Sequence, residues 1–295
     1  MSNSTIGRTN SGSAISARAE FSANDNFDVA QPPLNVRKLD LAARVLGRPS
    51  RFGGFDLEKS IEAQQAYWSQ WNAAGREHRL SDTSLDQREV VTGWLRELHR
   101  TDLDIIEVGC GAGWLCPTLA EFGKVTATDL CEEVVARAQA RMSEVRFVAG
   151  DFMALDFPIA AYDVIVSLEV LAHVADHDAF VAKLTRMLRP GGVLMMATQN
   201  RPVLERYNNV PPPADGQLRR WFDRDELRTL LAGHLTVREI FPITPRADKG
   251  APRLLLGRQA RKFIRRVPGR FIERALAPEF GWTLMARAER APLSA

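Results

Sequence analysis

The stretch Asp104-Ile105-Ile106-Glu107-Val108-Gly109-Cys110-Gly111-Ala112-Gly113 decides how the rest of the chain reads. Asp104 to Val108 is a short, mostly β-branched run, which suits a parallel strand covered on both faces. Gly109, Gly111 and Gly113 then alternate with small residues. Glycine accepts backbone angles that side chains resist, and it lets a ligand approach the main chain closely. The spacing predicts a helix over 114–122, with Pro117 in its first turn, where a missing N–H does little harm. Strand, glycine turn and helix make a nucleotide site at the carboxyl end of a strand.

The dinucleotide fingerprint G-x-G-x-x-G needs a third glycine where this chain has Trp114. The pattern present, Glu107 to Gly113, is E-x-G-x-G-x-G. It resembles motif I of the class I S-adenosylmethionine-dependent methyltransferases. That resemblance implies that Glu107, Gly109, Cys110, Gly111 and Gly113 form the turn facing the methionine part of S-adenosylmethionine.

The next segments extend it. A second strand is expected over 124–128, ending at Asp129-Leu130. Asp129 stands twenty residues after Gly109, where an acid accepts from ribose hydroxyls in nucleotide-binding α/β folds. It also suits the start of a helix over 131–142. After a third strand, 145–148, the family carries a small-Asp-apolar step at the adenine, and Asp151 and Phe152 match it. A fourth strand, 162–168, leads into Glu169-Val170-Leu171-Ala172-His173-Val174. This resembles the E-x-L-x-H-V segment of the ubiquinone-biosynthesis type of O-methyltransferase, although those enzymes often have Glu where Ala172 stands. By that resemblance Leu168 and Glu169 join the cofactor residues. Asp176 is read as the cap of a helix over 177–188, and Leu188-Arg189-Pro190-Gly191-Gly192 as the turn before a fifth strand, 193–198.

The flanks are less regular. Residues 1–35, rich in Ser, Asn, Ala and Gly, read as a disordered leader. Residues 36–102 read as an N-terminal helical lid preceding the methyltransferase domain of 103–295. Within the lid, Leu57, Ile61, Gln64, Trp68 and Trp71 mark a helix over 56–73, either docked by its aromatic side chains or closing over the cofactor. A second helix is expected over 84–99. It carries Arg88, which by resemblance would hold the cofactor carboxylate through a bidentate contact and otherwise is a solvated surface residue. Residues 199–222 form a long loop at the carboxyl end of the fifth strand, making Gln199, Asn200, Arg201, Arg206 and Tyr207 candidate substrate contacts. A helix over 223–232 and strands over 235–243 and 281–288 complete the pattern. The resemblance implies a Rossmann-like seven-stranded α/β sheet, five parallel strands plus an antiparallel C-terminal pair, in the order 3-2-1-4-5-7-6.

Composition sets bounds on function. The chain has 295 residues and a net charge of +3, so its overall balance speaks against nucleic acid. Local charge differs: the basic insert of 246–276 holds ten Lys/Arg against two acids, interleaved with Leu and Phe/Ile. It reads either as a solvated helix packed over the acceptor pocket or as a segment lying on an anionic membrane through 252–276. Cys110, Cys116 and Cys131 show no disulfide spacing, and no Cys/His pattern predicts a metal. No apolar run reaches a membrane span and no signal-peptide core opens the sequence, so a cytoplasmic setting, with or without peripheral membrane contact, is expected.

Methyl transfer from a sulfonium needs the acceptor close and aligned, and a hydroxyl acceptor must also lose a proton. Of the five histidines, His173 lies just after the fourth strand and is the candidate base; a structural role that fastens the segment is the alternative. The expected activity is methylation of a small-molecule hydroxyl on a sugar, lipid-linked saccharide, quinone-like compound or secondary metabolite. N-methylation, an RNA or protein acceptor, and a non-catalytic cofactor-binding scaffold are the alternatives.

Overall fold

The computed structural model describes residues 61–72, 80–265 and 270–292. The expected leader, the region 36–60 and Pro268-Gly269 lie outside them. Two helices come first, α1 (Ile61–Trp71) and α2 (Asp82–Glu97). Then follow β1 (Leu103–Val108), α3 (Cys116–Ala120), β2 (Gly123–Asp129), α4 (Glu132–Arg141), β3 (Arg146–Ala149), β4 (Tyr162–Leu168), α5 (His177–Met187) and β5 (Leu188–Gln199). The C-terminal part holds α6 (Arg201–Tyr207), α7 (Arg224–Ala232), β6 (Thr236–Pro245), α8 (Arg253–Leu256), α9 (Arg258–Ile264), α10 (Phe271–Phe280) and β7 (Gly281–Glu289).

The strands form one seven-stranded sheet in the order β3-β2-β1-β4-β5-β7-β6. β1 to β5 are mutually parallel, and β7 is antiparallel to both β5 and β6. The strand period of two divides β1 between two cores. Ile106 and Val108 pack with Phe180, Val181 and Leu184 of α5 and with Leu227 and Leu231 of α7. Leu103 and Ile105 pack with Val91, Trp94 and Leu95 of α2 and with Leu115 and Leu119 around α3. Both faces are therefore covered, which explains why apolar residues of β1 point to both sides.

Three elements differ from expectation. The first helix after the glycine turn is only Cys116–Ala120, because the turn continues to Leu115 and Pro117 sits at the helix start. β5 begins at Leu188, so the Pro-Gly-Gly step lies inside the strand, where its pairing with β4 shifts register between Tyr162 and Val164. The loop 199–222 contains α6, whose start, like that of α3, is favoured by a proline, Pro202.

Candidate functional site

A cavity of about 510 Å³ opens at the carboxyl ends of β1, β2 and β4, within the range of small-molecule sites. The glycine turn forms its floor. Gly109 has φ +79°, and a Cβ there would stand 2.1 Å from Val170 Cγ2, so only glycine fits. Gly111 N–H donates to Asp129 Oδ2 at 2.8 Å, and Cys131 N–H donates to Asp129 Oδ1 at 3.0 Å. One carboxylate thus ties the glycine turn to the start of α4 and also lines the cavity. Burial pushes the Asp129 pKa upward, while these backbone N–H groups oppose the shift.

Asp151 and Phe152 line the cavity after β3, with Asp151 Oδ1 accepting from Met153 N–H at 2.9 Å. Lys183 of α5 fixes this loop. Its Nζ donates to the carbonyls of Phe152 at 2.6 Å and Met153 at 3.1 Å, and lies 4.9 Å from the Phe152 ring centre. Cys110, Leu130, Leu168 and Glu169 also line the cavity. Glu169 has φ +63°, an uncommon angle for a residue with a side chain, and its Oε1 accepts from Gln87 at 2.6 Å and Thr283 at 3.0 Å.

The opposite wall comes from parts distant in sequence. Trp68 and Trp71 of α1 border the cavity, and Trp68 packs against the small cluster of Ala112, Cys131 and Val134. Gln217 and Leu218 return to it from the loop after β5. This return is tight: Gly216, at φ +80°, comes so close to α1 that a Cβ would stand 2.4 Å from the Ala63 carbonyl. Arg220 N–H donates to the Ala172 carbonyl at 2.8 Å, pinning the same segment to the turn after β4.

His173 is half-buried between these walls, its ring centre 4.5 Å from that of Trp68. Its Nδ1 stands 2.6 Å from the Leu218 carbonyl oxygen. A carbonyl only accepts, so Nδ1 carries the proton and Nε2 keeps the lone pair. Burial pushes the His173 pKa down to about 4, and the Arg219 charge pushes the same way. The imidazole is therefore neutral at working pH.

Several residues named from the sequence fall elsewhere. Arg88 does not reach the cavity; it lines a surface cleft with Glu89, Arg96, Arg265 and Arg270, while its neighbour Gln87 is buried and faces the cavity. One helical residue is a 100° rotation, which accounts for the exchange. Glu107 lies under the turn in the core, where the Cys116 thiol donates to it at 3.2 Å and burial pushes its pKa up to about 8. Gly113 points away from the cavity, and a Cβ there would meet Met142 at 2.6 Å and Phe147 at 3.1 Å. Of the five substrate-loop candidates, only Gln199 lines the cavity. Asn200 donates to the Gly281 carbonyl at 2.8 Å, Arg201 pairs with Asp223, Arg206 stacks over the Tyr207 ring, and Tyr207 hydroxyl donates to Glu279 at 3.1 Å. Asn200, Arg201 and Tyr207 are thus occupied in holding α6. Among the described residues, no group of three or more His, Cys, Asp or Glu is arranged to hold a metal ion.

Residues 106–196, the segment that builds this floor, match the family model described as a methyltransferase domain. The chain carries a methyltransferase domain. The Mesorhizobium japonicum ubiquinone biosynthesis O-methyltransferase is 39% identical over 105 residues, which are 34% of this chain and 42% of that protein. The chain spans about half the length of the curated relatives it matches. Solved structures share the fold at lower identity. A Burkholderia thailandensis 1,6-didemethyltoxoflavin-N1-methyltransferase, crystallised with that compound and S-adenosylhomocysteine, superposes with a TM-score of 0.53 at 20% identity, covering 83% of this chain and 93% of that one. The Bradyrhizobium japonicum N-methyltransferase NodS, with S-adenosylhomocysteine, gives 0.53 at 18%, covering 77% and 98%. The Mycolicibacterium smegmatis relative, 37% identical over 117 residues, is described as a probable S-adenosylmethionine-dependent methyltransferase, and both superposed structures hold S-adenosylhomocysteine. The cavity suits S-adenosylmethionine chemically: a cradle closed to any Cβ at Gly109, the Asp129 carboxylate beside it, and Asp151-Phe152 across from it.

Proposed function

We propose that the protein methylates a hydroxyl of a small, largely apolar molecule, using S-adenosylmethionine. The observation that carries the proposal is the two-sided cavity. The glycine turn, Asp129, Leu130, Asp151 and Phe152 form the cofactor side, and Trp68, Trp71, His173, Gln217 and Leu218 form the acceptor side. S-adenosylmethionine, when bound, supplies an electrophilic methyl group. The chain's own residues supply position and polarity. Asp129 would accept from ribose hydroxyls, and Asp151 from the adenine amino group, with Phe152 against the ring.

On the acceptor side, Trp68 and Trp71 offer flat apolar surface and exclude water. The Leu218 carbonyl holds His173 in the tautomer whose Nε2 accepts a hydroxyl proton. Glu169, clamped by Gln87 and Thr283, holds a fixed acceptor between the two sides. With a pKa of about 4, His173 is a weak base, so it contributes more through orientation and hydrogen bonding than through full proton removal. Positioning then carries most of the acceleration, as a well-aligned displacement allows.

The test is turnover of methyl-labelled S-adenosylmethionine with a panel of phenols, quinols, sugars and amines, read by product mass and fragmentation. Label on a hydroxyl oxygen supports the proposal. Label only on nitrogen would replace it with N-methylation, and binding without turnover on any acceptor would favour a scaffold.

A further inference from the structure

The basic insert has two different faces. On one, Arg261 and Arg265, four residues apart, reach Asp82 and Asp86 of α2, with Arg265 2.8 Å from Asp86. Arg270 reaches Asp86 and Glu89, each at 2.6 Å, and pairs with Glu273. Asp86 and Glu273 are buried, so this face is a clasp that fastens α9 and α10 to α2. Its arginines are committed to carboxylates.

The other face follows from helical phase. Phe263 is two residues from both Arg261 and Arg265, and Phe271 is two from Glu273, so each projects away from the clasp. Phe263 is 71% exposed and Phe271 70%; Leu254, on α8, is 84% exposed and Leu255 62%. Ile272 joins them. Exposed cations stand among these residues in the sequence: Arg253, Lys262 and Arg274, the last also 3.8 Å from Glu89 of α2. Glu273 is the sole acid between residues 249 and 276, and it is turned inward. The outward positions of the insert thus combine large apolar side chains and positive charge, and the insert places no carboxylate of its own among them.

We propose that this face docks on an anionic lipid membrane, with Leu254, Leu255, Phe263, Phe271 and Ile272 entering the headgroup boundary and Arg253, Lys262 and Arg274 meeting the lipid phosphates and carboxylates. A protein surface of ordinary composition would match the apolar side chains; an anionic bilayer matches both components at once. Among the described residues no helix is long and apolar enough to cross a membrane, so the contact is peripheral. The clasp holds α9 and α10 in place for it.

The test is sedimentation of the full chain with vesicles of phosphatidylcholine alone or with 30% phosphatidylserine, at low and high salt. Binding to the mixed vesicles only, stripped by high salt, is expected. The triple variant Arg253→Gln/Lys262→Gln/Arg274→Gln should lower partitioning ~100-fold, as about fivefold per lost charge implies. The variant Leu254→Ser/Leu255→Ser/Phe263→Ser should lower it more than about tenfold. These positions are exposed, so both variants should melt as the parent does, and the two sets check each other if one fails to fold. Equal pelleting with both vesicle types, no pelleting, or variants that pellet like the parent would overturn the proposal. So would loss of self-association in the apolar variant without loss of lipid binding, which would make a second copy the occupant.

Discussion

Asp129→Asn tests the cofactor side with the least change in shape. In the parent, the two carboxylate oxygens accept from Gly111 at 2.8 Å and Cys131 at 3.0 Å. Asparagine keeps one acceptor oxygen and turns an NH₂ toward the other N–H, setting donor against donor. One backbone N–H loses its partner, a cost of about 1–3 kcal/mol in stability. The charged acceptor proposed for the ribose is also lost. A hydrogen bond to a charged group is worth about 1.5–3 kcal/mol, so S-adenosylhomocysteine should bind roughly 10- to 150-fold more weakly. Titration calorimetry well below the melting transition separates binding from folding, and a thermal melt on the same sample reports the stability loss. A folded variant that binds S-adenosylhomocysteine as tightly as the parent would refute the role assigned to Asp129, whatever the melt shows.

His173→Ala should lower turnover about 10²-fold, the low end for a general base, with cofactor affinity unchanged; a loss under tenfold would make the residue structural. The parent's dependence of turnover on pH should show no histidine limb near 6.5, because the His173 pKa lies at about 4; a limb at 6–7 that vanishes in the variant would contradict this. A folded-state pKa below the ordinary value stabilises the fold above pH 6.5 and loses that contribution as pH falls toward 4, a difference of up to about 3 kcal/mol that His173→Asn should flatten in urea titrations. Lys183→Met, by freeing the Phe152 and Met153 carbonyls, should weaken S-adenosylhomocysteine binding severalfold without touching the ligand, and unchanged affinity would remove it from the account. Asp86→Ala should cost about 3 kcal/mol in denaturant unfolding, because Arg265 and Arg270 lose a buried partner; a cost under 1 kcal/mol would show that Asp82, Glu89 and Glu273 hold the clasp without it.

What was legible in the sequence was what is local. The glycine turn, Asp129, Asp151-Phe152 and His173 each sit at the end of a strand whose apolar run is readable, and strand ends converge on one edge of a parallel sheet. Strand order came from resemblance, since alternating strands and helices specify only an α/β fold. Arg88 stands in a surface cleft, in line with the second of its two readings; a single residue of helical phase separates it from Gln87, and the sequence around α2 offers both faces enough polarity to hide the difference. The acceptor wall had weaker signals. Trp68 and Trp71 stood out as an aromatic pair, yet Gln217 and Leu218 reach His173 across a loop whose polar and proline content has no period. Gly216 was the one local sign that this loop makes a close approach. Arg201 and Tyr207 looked like free substrate contacts because their partners, Asp223 and Glu279, are remote in sequence. The insert's positive charge was plain, while its division into a committed and an outward face depends on pairing with α2, 179 residues away.

The central claim is that the cavity over the glycine turn is an S-adenosylmethionine site. Equilibrium dialysis of the full chain against radiolabelled S-adenosylmethionine and, separately, radiolabelled nicotinamide adenine dinucleotide tests it most directly. Saturable binding of S-adenosylmethionine at one site per chain, displaced by S-adenosylhomocysteine, is expected, with no saturable dinucleotide binding. Saturable binding of the dinucleotide in its place would contradict it.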